Sequence, residues 1–120
     1  MIGEVGIPPE LLPHVLHKRP QGFGLQVLRF DEWSAGTAPF PSVRVNEGTI
    51  IDIIGGERSG RNVDHFCLVV EPTDLAELAA NGGFDVVEGP VTRWGARGDG
   101  TSLYVTDPDG NVVELRHYGA

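Results

Sequence analysis

The chain has 120 residues with 17 acidic and 9 basic side chains, which gives a formal net charge of −8 at pH 7. This length is typical of one domain with its own core, and scattered basic residues in an acidic chain argue against a nucleic-acid partner. The single cysteine, Cys67, excludes an internal disulfide framework. The chain shows neither a signal-peptide pattern nor an apolar run long enough to cross a membrane, so we expect a cytoplasmic protein that binds no membrane.

The first 24 residues are predicted to be irregular. Proline interrupts any long helix or central strand, and this segment contains four prolines: Pro8, Pro9, Pro13 and Pro20. Only residues 10–18 have a composition that allows a couple of helical turns.

Three strands are predicted in the rest of the first half. They are Leu25–Phe30, Pro41–Val45 and Thr49–Ile54, and a hairpin loop at Asn46–Gly48 joins the last two. Residues 55–61 are polar and rich in glycine, and they are the best candidate for a linker between two halves of the chain.

The second half is predicted to run strand, helix and then three strands. Val63–Val70 is rich in β-branched and apolar residues, and Thr73 offers a helix N-cap before a short apolar stripe that stops at Asn81. The later strands are Asp85–Val87, Ser102–Thr106 and Val112–His117. The last three strands of each half match as a weak internal repeat of roughly fifty to sixty residues.

Two polar residues stand on otherwise apolar strands of this second half, His65 and Glu114. Imidazole and carboxylate are a ligand pair that borderline divalent metals accept, and an unpaired buried carboxylate is costly. Two alternatives stay open: His65 as a core histidine bonded to the backbone, and Glu114 paired with Arg93 or Arg116. His117 falls on the opposite strand face from Glu114, and we expect it to be solvated.

The second half resembles a module of the vicinal oxygen chelate superfamily, which includes glyoxalases, extradiol dioxygenases and bleomycin-resistance proteins. The resemblance rests on residues 62–68, 89–98 and 102–115, and most specifically on the turn Asp107–Asn111 before the strand that carries Glu114. It implies an α+β fold of paired βαβββ modules that form a cup-shaped mixed sheet around one divalent metal. Residues 1–120 would then be one domain, with an incomplete first module at 1–58 and a second module at 62–119.

The resemblance also implies a ligand set. Ligands in this superfamily come from the first and last strand of each module, which places His65, Glu114 and Asp52 at the metal; Zn, Ni, Mn, Fe or Co would suit such donors. Asp52 departs from the commoner Glu or Gln, and pairing with Arg44 or Arg29 is its alternative. No residue matches the first-module histidine, although His14 and His17 lie nearby in sequence.

Substrate contacts are predicted from the stretch Gly89–Gly100 and the strand that follows it. Trp94 and Tyr104 offer apolar walls with a polar tip, and Arg93 suits a carboxylate or phosphonate. A tryptophan and two arginines among several glycines suggest a mobile lid, with a plain connector as the alternative.

The resulting hypothesis is a metal-dependent enzyme that binds a small substrate through two neighbouring oxygens, with Glu114 as the catalytic residue and lyase, isomerase and dioxygenase chemistry all open. The alternative is a non-catalytic small-molecule binding or antibiotic-resistance protein that uses the same cup. A homodimer is predicted as well, because a first module without its first strand would leave Leu25–Phe30 or Thr49–Ile54 as an unpaired edge.

Overall fold

A computed structural model of the chain describes the backbone of residues 2–7 and residues 25–119 with their side chains. The chain divides into two compact units, one spanning Ile2–Asp64 and the other beginning at His65. Each unit contains one four-stranded sheet. The α+β class expected from the sequence is confirmed.

The first unit has its strands in the order β1-β4-β3-β2. The strands are β1 (Ile2–Ile7), β2 (Gln26–Leu28), β3 (Ser42–Asn46) and β4 (Thr49–Gly55). β1 pairs in parallel with β4, whereas β3 pairs antiparallel with both β2 and β4.

The prediction that residues 1–24 supply no good strand is wrong for β1. The prolines begin only at Pro8, so the backbone N–H groups of residues 2–7 remain available for a ladder. β1 thereby covers the edge of β4, and an unpaired edge at Thr49–Ile54 no longer supports a homodimer. His14 and His17 lie outside the described residues.

The predicted strand Leu25–Phe30 ends early, at Leu28. Arg29 adopts a left-handed backbone with a φ of 62°, which cannot continue a strand, and a short helix, α1 (Phe30–Ser34), follows it. Phe30, which was predicted to end the strand, instead begins this helix, and its ring lies 5.5 Å from the ring of Trp33.

The second unit repeats the topology of the first, with the strand order β5-β8-β7-β6. The strands are β5 (His65–Val69), β6 (Asp85–Gly95), β7 (Gly98–Thr106) and β8 (Val112–His117). β5 pairs in parallel with β8, which is the counterpart of β1 with β4. The internal repeat inferred from sequence is therefore present in the strand order.

The stretch Gly89–Gly100 forms a strand hairpin and not a loop. β6 and β7 pair along their whole length, from Asp85 opposite Thr106 to Gly95 opposite Gly98. A tight turn joins them, and Gly98 has a φ of 91°. The prediction of a loop is wrong because these glycines lie within two paired strands. Gly95 and Gly100 instead meet a buried side chain of β8 at close range.

A helix, α2 (Leu75–Asn81), closes one face of the second sheet. Leu75 packs with Leu103 and Val105, and partly buried apolar residues extend this core: Leu78, Ala79, Val113 and Leu115. The N-cap is Asp74, whose side chain accepts a hydrogen bond from the Glu77 backbone N–H at 3.0 Å, so the prediction of Thr73 is wrong by one residue. Within the described ranges, no helix is long and apolar enough to cross a membrane.

Candidate functional site

The face of the second sheet opposite α2 carries a cluster of buried polar side chains: Ser102, Glu114 and Arg116. Because Leu103 and Leu115 point to the helix, strand alternation turns their even-numbered neighbours on β7 and β8 to the other face. The register places Tyr104 opposite Glu114 and Ser102 opposite Arg116 on that face. It is also the face that carries two of the three predicted metal ligands, His65 and Glu114.

His65 and Glu114 are in direct contact on this face. His65 Nε2 lies 3.0 Å from Glu114 Oε1, and the two side chains are only 7% and 1% exposed. Glu114 is registered with Cys67 in the parallel β5–β8 pair, so the contact with His65 is diagonal. The structure thus brings together the two residues that the sequence singled out, from positions 49 apart.

The second oxygen of Glu114 is occupied too. Oε2 accepts hydrogen bonds from Ser102 Oγ at 2.6 Å and from Arg116 Nη2 at 2.5 Å. Burial pushes the pKa of Glu114 upward, but the hydrogen bonds from His65 and Ser102 and the charge of Arg116 outweigh it and lower the pKa to about 2. Glu114 is therefore a carboxylate at any physiological pH.

Arg116 is as buried as the carboxylate it contacts, with 1% of its side chain exposed. Besides Glu114, its guanidinium donates to Ser102 Oγ at 3.0 Å and to the Tyr118 hydroxyl at 3.2 Å. Arg116 is thus the partner of Glu114, whereas Arg93, the other predicted candidate, pairs with Glu88. Ser102 was missed, since a serine on a predicted strand gives no signal of its own.

Tyr104 links the buried pair to the outer strand of the sheet. Its ring meets the His65 ring edge-on with 5.3 Å between centroids. The Arg93 guanidinium lies 5.8 Å from the centroid of the Tyr104 ring. Burial first, and then the negative charge of Glu114, raise the pKa of Tyr104 to about 12. Arg93 also forms an ion pair with Glu88, and both side chains are nearly half exposed.

The other predicted site residues lie elsewhere. Trp94 follows Arg93 directly on β6, so its side chain points to the opposite face of the sheet. Asp52 belongs to the first unit, where its carboxylate is buried and accepts a hydrogen bond from Ser42 Oγ at 2.6 Å. His117 is buried, and its Nδ1 lies 2.9 Å from the Gly119 carbonyl, so the expectation of a solvated side chain is wrong.

The His65–Glu114 pair has the chemistry of two metal ligands. Zinc takes nitrogen and oxygen ligands at roughly 2.0–2.2 Å, and two such ligands at about a right angle stand ~3 Å apart, which is the spacing seen here. Because Glu114 is ionised, a hydrogen bond here needs a proton on His65 Nε2, and this proton would have to leave when a cation binds. No group of three His, Cys, Asp or Glu side chains close enough to hold a metal ion occurs within the part of the chain that the structure describes.

Comparisons with known proteins give sequence matches over part of the chain. No family model matches the chain. It is 44% identical over 45 residues to "Virulence protein STM3117" of Salmonella typhimurium, and 44% identical over 54 residues to "Glyoxalase domain-containing protein RDO1" of Mycosarcoma maydis. These matches cover 38% and 43% of the chain, and the chain spans 31% of the length of each of these curated relatives.

A solved structure matches over almost the whole length. It is a glyoxalase/bleomycin resistance protein/dioxygenase superfamily member from Vibrio splendidus 12B01, with a TM-score of 0.55, 12% identity, and coverage of 97% of this chain and 96% of that one. At this identity the match shows the fold alone. The fold of the chain is that of the glyoxalase/bleomycin resistance/dioxygenase superfamily, as the sequence resemblance implied.

Proposed function

We propose that this chain, whose fold is that of the glyoxalase/bleomycin resistance/dioxygenase superfamily, is a metal-dependent enzyme. Its substrate would be a small molecule that presents two neighbouring oxygens to the metal. One observation supports the proposal most: His65 Nε2 and Glu114 Oε1 are 3.0 Å apart on a sheet face, both buried and both able to bind a cation.

His65 and Glu114 would hold the ion, with Zn, Ni, Mn, Fe and Co as the candidates that suit one nitrogen and one carboxylate donor. A bound divalent ion supplies Lewis acidity toward substrate oxygens. With only two ligands from the second unit, coordination positions on the ion would remain for the substrate oxygens. Catalytic zinc sites likewise keep a position open for water or substrate.

Glu114 acts here as a ligand and a fixed charge. A general base works best when its pKa lies near the working pH, and a pKa of about 2 makes this carboxylate a weak proton acceptor at neutral pH. Ser102 and Arg116 hold its second oxygen and so fix the direction of the first. The catalytic role predicted for Glu114 is therefore one of orientation and charge.

Tyr104 and Arg93 would recognise the substrate. With its pKa raised to about 12, the Tyr104 phenol keeps its proton and can donate a hydrogen bond to a substrate oxygen. Arg93 pairs with Glu88 in a half-exposed position, where an ion pair contributes little to stability. A substrate carboxylate or phosphonate can replace Glu88 at low cost and gain a two-point contact.

A non-catalytic binding protein is the second candidate, and one observation favours it. The charge of Glu114 is already balanced by Arg116 without any metal. A chain that sequesters a small molecule on this face needs no ion, and Arg93 and Tyr104 would serve it equally well.

Metal titration separates the two candidates. Protein stripped with a chelator is titrated with each candidate ion in a calorimeter, alongside His65→Ala and Glu114→Gln. Loss of a ligand should weaken the affinity by at least tenfold in each variant. His117→Ala is the matched control, since this histidine is bonded to the Gly119 carbonyl. Wild-type protein that takes up no metal would reject the enzyme and leave the binding protein, and unchanged affinity in both variants would reject this site.

A further inference from the structure

Arg116 has an unusual position for a charged side chain. It is 1% exposed, and each nitrogen of its guanidinium donates to a different side chain: Nε to Ser102, Nη1 to Tyr118 and Nη2 to Glu114. Such a group is rarely buried unless it is paired, because its desolvation is costly. These three contacts therefore hold the buried cation next to Glu114.

The neighbouring strands make room for it. A Cβ atom on Gly95 would overlap Arg116 Nη1, and a Cβ on Gly100 would lie 3.2 Å from Arg116 Cδ. Gly100 is on β7, next to β8, and Gly95 is on β6 beyond it. Because neither residue has a side chain, the Arg116 side chain can lie across β7 and reach β6. An ion pair at the surface would not require glycine at these positions.

The pairing has a consequence for a metal at the same carboxylate. Glu114 carries one negative charge, and Arg116 already balances it at 2.5 Å from Oε2. A divalent ion at Oε1 would place two more positive charges beside a buried guanidinium, in surroundings that screen them less than water does. Oε2 is also blocked by Ser102 and Arg116, so Glu114 can offer only one oxygen.

We propose that Arg116 is a built-in counter-ion that limits the affinity of the His65–Glu114 site for divalent metal and keeps the bound ion exchangeable. This inference rests on the proposed function, since it concerns the same metal. Arg116 is a positioning residue: its side chain is 1% exposed, and it acts through the charge and direction of Glu114. The arginine also keeps the carboxylate satisfied before the metal arrives, so the empty site is stable.

Substitutions at position 116 test this directly. Arg116→Gln removes the charge and keeps an amide that can donate to the same oxygens, whereas Arg116→Lys keeps the charge and loses the planar fork. We expect Arg116→Gln to bind Zn²⁺ or Mn²⁺ at least tenfold more tightly than wild type in calorimetric titration. Arg116→Lys should stay within about threefold of wild type. A purely structural role predicts weaker binding in both variants, because a loosened Glu114 is a poorer ligand.

Folding is followed by circular dichroism with chelator and at saturating metal. Arg116→Gln that folds only with metal supports the proposal, because the ion has then taken over the charge balance. Arg116→Met serves as a second neutral variant. Neutral variants that bind metal no more tightly than wild type, or that stay unfolded at saturating metal, would overturn it. Wild-type protein that binds no metal would instead overturn the proposed function, so the two failures are distinguishable.

Discussion

The guanidinium of Arg116 occupies the space that a side chain at position 95 would need. The two residues lie on strands that are not neighbours, β8 and β6, and Arg116 reaches its place by crossing β7 at Gly100. A glycine-rich stretch that reads as flexible in the sequence is therefore a packing surface for one charged side chain.

The first prediction concerns Gly95. Gly95→Ala should destabilise the protein by about 1–3 kcal/mol, because the new methyl group forces Arg116 out of its contacts and overpacked sites cost this much. The free energy of unfolding is measured in urea with chelator present. Gly56→Ala is the matched control, since nothing lies within 4 Å of a Cβ there. Equal stability of both variants would contradict the packing described for Arg116.

The pH dependence of stability should report Glu114. Its pKa is lowered from 4.5 to about 2 in the folded chain, so its contribution is present above pH 4.5 and is lost as the pH falls toward 2. By linkage this contribution is on the order of 3 kcal/mol. Urea unfolding of wild type between pH 7 and pH 2 should show the loss, and Glu114→Gln should show a smaller slope over the same range. Identical slopes would mean that Glu114 is not held ionised by its neighbours.

The phenol of Tyr104 should titrate late. Its burial and the nearby Glu114 charge raise its pKa to about 12, so the proton should remain through the range in which a free tyrosine loses it. Ultraviolet difference absorbance of wild type against Tyr104→Phe isolates this one phenolate. A midpoint near pH 10 in the difference spectrum would show that the ring lies in water.

Limited proteolysis should cut between the units and not in the β6–β7 hairpin. Arg58 and Arg61 are exposed in a stretch outside strands and helices, whereas Arg93 lies in the paired strand β6. Among residues 25–119, trypsin should therefore cleave first after Arg58 or Arg61. Replacing both by glutamine should slow that first cut. Primary cleavage after Arg93 or Arg97, suppressed by a ligand, would restore the lid predicted from sequence.

The homodimer stays a prediction, and exposed apolar residues now support it in place of an unpaired β4. Phe66 and Leu68 lie on the edge strand β5 and are 41% and 50% exposed. Exposed apolar side chains on a sheet edge favour pairing with a second copy. Light scattering at micromolar concentration should show a dimer, and Leu68→Lys should shift it toward monomer. A folded wild-type monomer at that concentration would reject the prediction.

Local patterns were enough to place several parts of this molecule. β8 spans the predicted residues, and the turn before it forms as expected, with the Asp107 carboxylate accepting from the backbone N–H groups of Asp109 and Asn111. The strand period of two also places His65 and Glu114 on apolar strand faces, which lie on the same side of one sheet. The turn, and the strand face on which each residue lies, depend on residues close together in the chain, so they can be predicted from the sequence. The contact between His65 and Glu114 also needs the pairing of β5 with β8.

The tertiary structure alone decided the partners. Glu114 had Arg93 and Arg116 as candidates, and the choice depended on the register of β6, β7 and β8, which no short stretch encodes. Ser102 entered the site for the same reason, and so did Gly95, whose missing side chain matters only because an arginine from a distant strand fills the space. The sequence by itself determined which residues are polar on an apolar strand; the pairing of strands far apart in the chain decided which charge each of them meets.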